Sequence, residues 1–179
     1  MSDLQGTINC YLRKATPTDS DILFEWVNDQ LVRQSAFDTH TITYDEHKVW
    51  FGRMLNDPDQ IQYILMEGET PIGQIRLIVD GENAEVDYSI SNKARRFGYG
   101  QEIIRLAIEK IRNDYPNIKK LIGRIKPSNA ASYHCFIRNG FEEVFQQLEY
   151  EIQEASNHSI YAGSQNARGG GKNTVSYEQ

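Results

Sequence analysis

The chain has 179 residues, a net charge of −6 and a sequence pI ≈ 5.2, which suits one domain with a tail. Hydrophobic residues make up 39% and aromatics 11%, enough for a real core, while the acidic balance argues against gripping nucleic acid, which needs a basic face. No apolar run approaches the ~20 residues that span a bilayer, and the two cysteines, Cys10 and Cys135, make neither a disulfide scaffold nor a metal cluster.

Residues 1–8 are polar and expected to be flexible, with no basic-then-apolar stretch of a secretory signal, so a reducing, cytoplasmic compartment is the default. Cys10 to Arg13 reads as a first strand. Thr16 to Asp21 offers N-cap side chains ahead of Ile22, Leu23, Trp26 and Val27 at helical spacing, and Asn28-Asp29 frays that helix. Thr43 and Glu46 form a capping box for a second helix that carries Val49, Trp50, Phe51, Met54 and Leu55 and stops at Asn56-Asp57-Pro58. The period then shortens. Ile61–Met66, Ile72–Val79 and Ala84–Ile90 read as strands separated by turn residues, hence as antiparallel neighbours. Alternation in the last of them puts Glu85, Asp87 and Ser89 on one face and Val86, Tyr88 and Ile90 on the other. A helix from Gly100 to Asp114 buries Ile103, Ile104, Ala107, Ile108 and Ile111, and a strand follows from Leu121 to Ile125. Strand–helix–strand in that order predicts a parallel pair with a right-handed crossover. Asn129 to Asn139 is a further helix closed by Gly140, and Phe141 to Ile152 alternates enough for one or two last strands. After residue 154 the composition turns to Ser, Asn, Gly and Gln, so a domain over 9–154 and a disordered tail over 155–179 are expected. The fold class is α+β, a mixed and mostly antiparallel sheet with helices on both faces.

The segment Arg95-Arg96-Phe97-Gly98-Tyr99-Gly100-Gln101 follows a strand and opens a helix. Glycines at 98 and 100 let the backbone turn and approach a ligand, successive amides at a helix N-terminus bind anions, and two arginines add positive charge. This reads as a pyrophosphate cradle. No Gly-Lys-Ser/Thr follows, and the spacing is not that of a dinucleotide fold.

This loop resembles the Gln/Arg-x-x-Gly-x-Gly/Ala signature of the GNAT superfamily of acetyl-CoA-dependent N-acetyltransferases. Asn129-Ala130-Ala131-Ser132 through Arg138-Asn139-Gly140-Phe141 resembles that family's second conserved helix. The resemblance covers residues 9 to 152 and implies a GNAT fold whose central parallel strands splay to admit acetyl-CoA. It implies that Ile90 and Asn129 contact the pantetheine arm, with Ser132 and Tyr133 nearby, and that Arg95, Arg96, Phe97, Gly98, Tyr99, Gly100 and Gln101 hold the pyrophosphate. No metal is required. A neutral amine attacks the thioester directly, losing its proton to a carboxylate, and Glu85 or Asp87 stands on the strand that supplies one. Two carboxylates on one face hold a proton more readily, which suits a base. The family's proton-donating tyrosine is replaced by Phe136, so Tyr133, His134, Tyr88 or water must serve the leaving thiolate. Cys135 has no obvious base beside it, so an acyl-cysteine route is disfavoured.

The N-terminal stretch Trp26-Val27-Asn28-Asp29 to Phe37, with Ile42, Glu46-His47 and Trp50-Phe51, is similar to sugar-nucleotide amine N-acetyltransferases of pseudaminic acid biosynthesis. That resemblance implies a small-molecule amine acceptor, a UDP-linked 4-amino sugar, read by Asn28, Arg33, Ser35, Phe37, His47 and Trp50. Arg33 would pair with a diphosphate and the aromatics would stack, although aromatics at helical spacing also serve as core. Arg76 and Lys126 could add positive charge. A ribosomal-protein-type N-terminal acetyltransferase, an antibiotic or polyamine acetyltransferase, and a non-catalytic acyl-CoA-binding domain remain alternatives. Neither nucleic acid nor membrane is an expected partner, and a homodimer is possible.

Overall fold

The structure, a computed structural model, describes residues 9–144. Its elements are β1 (Cys10–Lys14), α1 (Ser20–Val27), α2 (Gln30–Ser35), α3 (Tyr44–Leu55), β2 (Gln60–Glu67), β3 (Thr70–Asp80), β4 (Asn83–Ile90), α4 (Tyr99–Asp114), β5 (Lys120–Gly123) and α5 (Ala130–Arg138). The strands form one sheet in the order β1-β2-β3-β4-β5. The first three pairings are antiparallel and β4–β5 is parallel. Among the described residues the parallel pair therefore lies at one side of the sheet rather than at its centre. Of the last strands expected over 141–152, residues 141–144 have no regular structure and the rest fall outside the described residues, as do the N-terminal segment and the tail.

Local chemistry explains most boundaries. Thr43 accepts from the Glu46 amide and Glu46 accepts from the Thr43 amide, so the expected capping box starts α3. The fraying expected at Asn28-Asp29 is a full break. Asn28 ends α1, and the Asp29 carboxylate accepts from the Leu31 and Val32 amides, which starts the separate helix α2. β5 ends two residues earlier than its apolar pattern suggests, and among the described residues Arg124 and Ile125 pair with no strand.

Alternation along the strands sends apolar side chains to both faces. One face carries Tyr63, Leu65, Ile75, Leu77, Val86 and Ile90 against Ile103, Ile104, Ala107 and Ile111 of α4 and Phe136 of α5. Burying each of these aliphatic side chains is worth about 1.5–3 kcal/mol, so this is the main core. On the other face Leu23 and Trp26 of α1 and Phe51 and Met54 of α3 cover only Ile64 and Met66 of β2. Ile78 and Ile122, on that same face, stay more than a third exposed.

Candidate active site

The parallel ladder runs from Asn83↔Lys120 to Val86↔Gly123 and stops. β4 continues to Ile90, paired only with β3, so the two strands part at Asp87. Phe136 holds the last paired residue: a Cβ on Gly123 would lie 2.8 Å from its ring. Phe136 is buried, edge-on to Tyr88 and Phe141 with centroids at 5.8 and 4.8 Å. Its aromatic bulk thus wedges β5, α5 and β4 together at the fork.

Beyond the fork lies the glycine-rich loop. Arg96 at φ 71° and Gly98 at φ 87° are both left-handed and flank Phe97. The left-handed turn is free for glycine and costs roughly 1–2 kcal/mol at the arginine. Gly98 caps α4, and its carbonyl accepts from the Gln101 and Glu102 amides. Among the described residues no backbone acceptor meets the amides of Arg96, Phe97 and Gly98. These free amides, with the positive end of α4, suit a phosphate of acetyl-CoA. Gly100 serves a different purpose from the turn expected of it: a Cβ there would lie 3.1 Å from Cys135 Sγ and 3.5 Å from Tyr88 Oη, so glycine lets α4 close on α5 and β4.

The side chains of this loop divide. Arg96 and Phe97 are exposed beside the free amides. Arg95 is turned away from a pyrophosphate role. Its guanidinium pairs with Asp29 and donates to the Ile90 carbonyl at 3.1 Å. Burial pushes the Asp29 carboxyl up, but hydrogen bonds from Arg95 and the α2 amides outweigh it and hold the group below its ordinary value. Arg95 therefore fastens α2 to the end of β4, and it takes up the carbonyl of Ile90, a residue the resemblance placed against pantetheine. The Tyr99 hydroxyl donates to Glu67, which pushes it up to about 12, so Tyr99 anchors α4 to β2 and offers a ligand only its backbone. Asn129 accepts from the Ser132 amide at 3.1 Å and caps α5.

The proton-transfer candidates also separate. Glu85 lies inside the paired ladder opposite Ile122 and meets Arg124 at 3.2 Å. Asp87 is the first residue past the ladder and meets Arg76 at 3.5 Å. Each has its own cation, so the two do not form the mutually repelling pair that alternation suggested. His134 is exposed on α5, two residues from the buried Phe136 and so on the opposite side of the helix. Tyr133 is partly exposed, and its hydroxyl donates to Glu143 at 3.3 Å. Tyr88, by contrast, sits at the fork with its hydroxyl against Gly100, Ser132 and Cys135. Burial, assisted by Cys135 and opposed by the Ser132 hydrogen bond, pushes this phenol above its ordinary value and keeps it protonated.

On the acceptor side, Asn28 donates to the Ile42 carbonyl and accepts from the Ile42 amide, both at 2.9 Å, and so ties α1 to the segment before α3. His47 is buried with Nε2 at 2.8 Å from the Ser20 carbonyl, and burial pushes its pKa below 6.5. Arg33 donates to the Asp38 and His40 carbonyls at 3.4 and 3.3 Å. These three act first as braces, a role the sequence pattern does not distinguish from binding. Ser35 is half-buried, and Phe37 and Trp50 remain exposed. Lys126 donates to the Gln34 carbonyl at 3.2 Å, which brings the C-terminal end of α2 to the open end of the fork. A row escaped the sequence reading: Gln62 donates to Gln74 at 3.0 Å and Gln74 to Ser89 at 3.3 Å, across three strands. The polar residues in phase on β2, β3 and β4 were its signal.

The GNAT acetyltransferase domain family matches residues 9–142. The chain belongs to that family. Its reactions use acetyl-CoA, and the free amides and the fork described above fit that co-substrate. No curated protein matches the chain by sequence. Among solved structures, aminoglycoside acetyltransferase AAC(6')-Ib in complex with coenzyme A is 24% identical with a TM-score of 0.65, over 74% of this chain and 84% of that one. The spermidine N-acetyltransferase from Vibrio cholerae, with CoA and spermine, is 18% identical with a TM-score of 0.70, over 80% and 88%. A domain from Methanocaldococcus jannaschii is 20% identical with a TM-score of 0.67, over 78% and 92%. At these identities the likeness is one of fold. Among the described residues no helix is long and apolar enough to cross a membrane, and no metal-ligating cluster occurs.

Proposed function

We propose that this GNAT domain transfers the acetyl group of acetyl-CoA to the primary amine of a UDP-linked 4-amino-deoxy sugar, by direct attack and without an acyl-enzyme. The observation that carries the transfer is the fork, with the free amides of residues 96–98 beyond it and Asp87 at its apex on the opposite face from α4. The amine nitrogen bonds to the thioester carbon and the carbon–sulfur bond breaks. The amine's proton leaves toward Asp87, directly or through water, and Tyr88 donates to the departing thiolate. Asp87 is preferred to Glu85 because it stands where the strands part. Tyr88 is preferred to Tyr133 and His134 because its hydroxyl is enclosed at the fork. The acceptor class rests on the resemblance over residues 26–51 and on Lys126 and α2 meeting at the fork's mouth.

A second reading, a polyamine or aminoglycoside acceptor, is favoured by one observation. A cleft of about 190 Å³ between the end of α1 and the end of β4 is lined by Glu25, Trp26, Asp29 and Asn92, among others, and Glu25 presents an exposed carboxylate. The test is CoA release from acetyl-CoA, followed by thiol titration, across UDP-4-amino sugars, N-terminal peptides, spermidine and kanamycin. Turnover confined to the amino sugars is expected. Turnover confined to peptides or polycations overturns the acceptor class, and acetyl-CoA binding without turnover of any amine overturns the transferase reading.

A further inference from the structure

On the half-covered face of the sheet, one strand from the fork, the Arg76 guanidinium lies over the Trp50 ring with its carbon 5.0 Å from the centroid. Its Nη2 meets Asp87 at 3.5 Å, a long contact. Its Nε is buried without any acceptor among the described residues. A guanidinium has five N–H donors, and this one has a single long ion-pair contact to show for them. Its side chain is only 23% exposed, so it has lost much of its water as well. A cation that is partly desolvated, held over an aromatic ring and short of acceptors is pre-organised to take a planar pair of oxygens from outside the protein. The ring holds the guanidinium in place and leaves its terminal nitrogens to meet oxygens from outside.

Asp87 does not saturate it. That carboxylate is 61% exposed and, in the proposed reaction, turns toward the amine at the fork. The neighbouring polar row is unsaturated too: Gln62 Oε1 is buried without a donor. β2 and β3 thus bury an unmet donor and an unmet acceptor beneath the face from which an acceptor reaches Asp87.

We propose that Trp50 and Arg76 form an anion-binding subsite for the acceptor, taking a phosphate-class group carried beside the amine that Asp87 receives. This rests on the transferase reading above and deepens it. It makes the acceptor a zwitterion, an amine and an anion on one molecule, and it disfavours polycations, whose second ammonium would meet Arg76.

The test compares wild type, Arg76→Gln, Arg76→Lys and Trp50→Ala. In the turnover assay the acceptors are a UDP-linked 4-amino-4,6-dideoxy sugar and the methyl glycoside of the same amino sugar. For the UDP-linked acceptor, Arg76→Gln should raise KM roughly tenfold or more, about what one charge-assisted bidentate contact is worth. Arg76→Lys should recover part of it, and Trp50→Ala should cost roughly fivefold. KM for the methyl glycoside should rise much less, so the ratio of the two KM values reads the subsite, and the affinity for acetyl-CoA should stay unchanged. An equal rise for both acceptors would show a structural role for Arg76 and overturn the subsite. Calorimetric titration of UDP alone reads the site without turnover. Saturable binding weakened in Arg76→Gln is expected, and no binding to wild type overturns the subsite whatever the turnover assay shows, including when a different amine proves to be the acceptor.

Discussion

The two faces of the sheet are built differently. The face under α4 and α5 is closed and largely apolar, with Ile75, Leu77, Ile103 and Ile104 almost fully buried, and its chemistry gathers at the fork, in the Tyr88 hydroxyl and the backbone amides of residues 96–98. The face under α1 and α3 is half covered, and it carries the half-buried Gln74 and Arg76, the exposed Asp87 and the buried Ser89. The acetyl donor is one fixed molecule, so backbone amides and a rigid core can hold it. The acceptor varies, so side chains on the open face must read it. Stability should therefore be concentrated on the first face and selectivity on the second.

Five changes test that division. The largest effect is expected from Phe136→Ala, which removes the wedge at the fork. It should cost about 3–5 kcal/mol in denaturant unfolding, as other buried Phe→Ala changes do. A cost below 1 kcal/mol would mean the closed face does not depend on it. Next comes Asp87→Asn, expected to lower kcat/KM about 100-fold, or about 2.7 kcal/mol in barrier, with little change in unfolding midpoint. Glu85→Gln should change kcat/KM less than about threefold, and the reverse ranking would move the base into the ladder.

Asp29→Ala should then cost about 2 kcal/mol in stability, since it removes an N-cap and strands Arg95. Because Asp29 titrates below its ordinary value, its contribution is complete above about pH 3.8 and fades as pH falls through its folded value. Asp29→Ala should therefore flatten the acid limb of a stability-against-pH curve. The smallest effect is that of His47. Burial holds its pKa under 6.5, so the neutral ring is stabilising above that pH and stability declines as pH falls below it. Replacing His47 with Gln should remove that decline, and a decline of unchanged slope would assign it elsewhere.

Much of the fold was legible in the sequence. The Ile103, Ile104, Ala107, Ile111 stripe specifies α4 and its buried side, the capping box specifies α3, and strand–helix–strand order specifies the parallel pair. The candidate site was legible only where backbone forms it, in the loop over Arg96 to Gly98. Its side chains were harder. Arg95 looked like a phosphate ligand because motifs record residue types and not partners. Asn28, Arg33 and His47 looked like acceptor contacts, yet each braces a loop or helix first.

The sequence by itself determined the order and type of most of the described elements, α2 excepted, and the turn glycine at Gly98. These depend on interactions within a few residues, through hydrogen-bond periods, caps and steric limits on φ. Only the tertiary structure decided which charge meets which. Arg95 finds Asp29 at 66 residues' separation, Trp50 meets Arg76 across a helix and a strand, and Tyr88 rather than His134 reaches the fork. Such pairings depend on distances set by the sheet's register and the docking of helices, and neither is encoded at any fixed spacing along the chain.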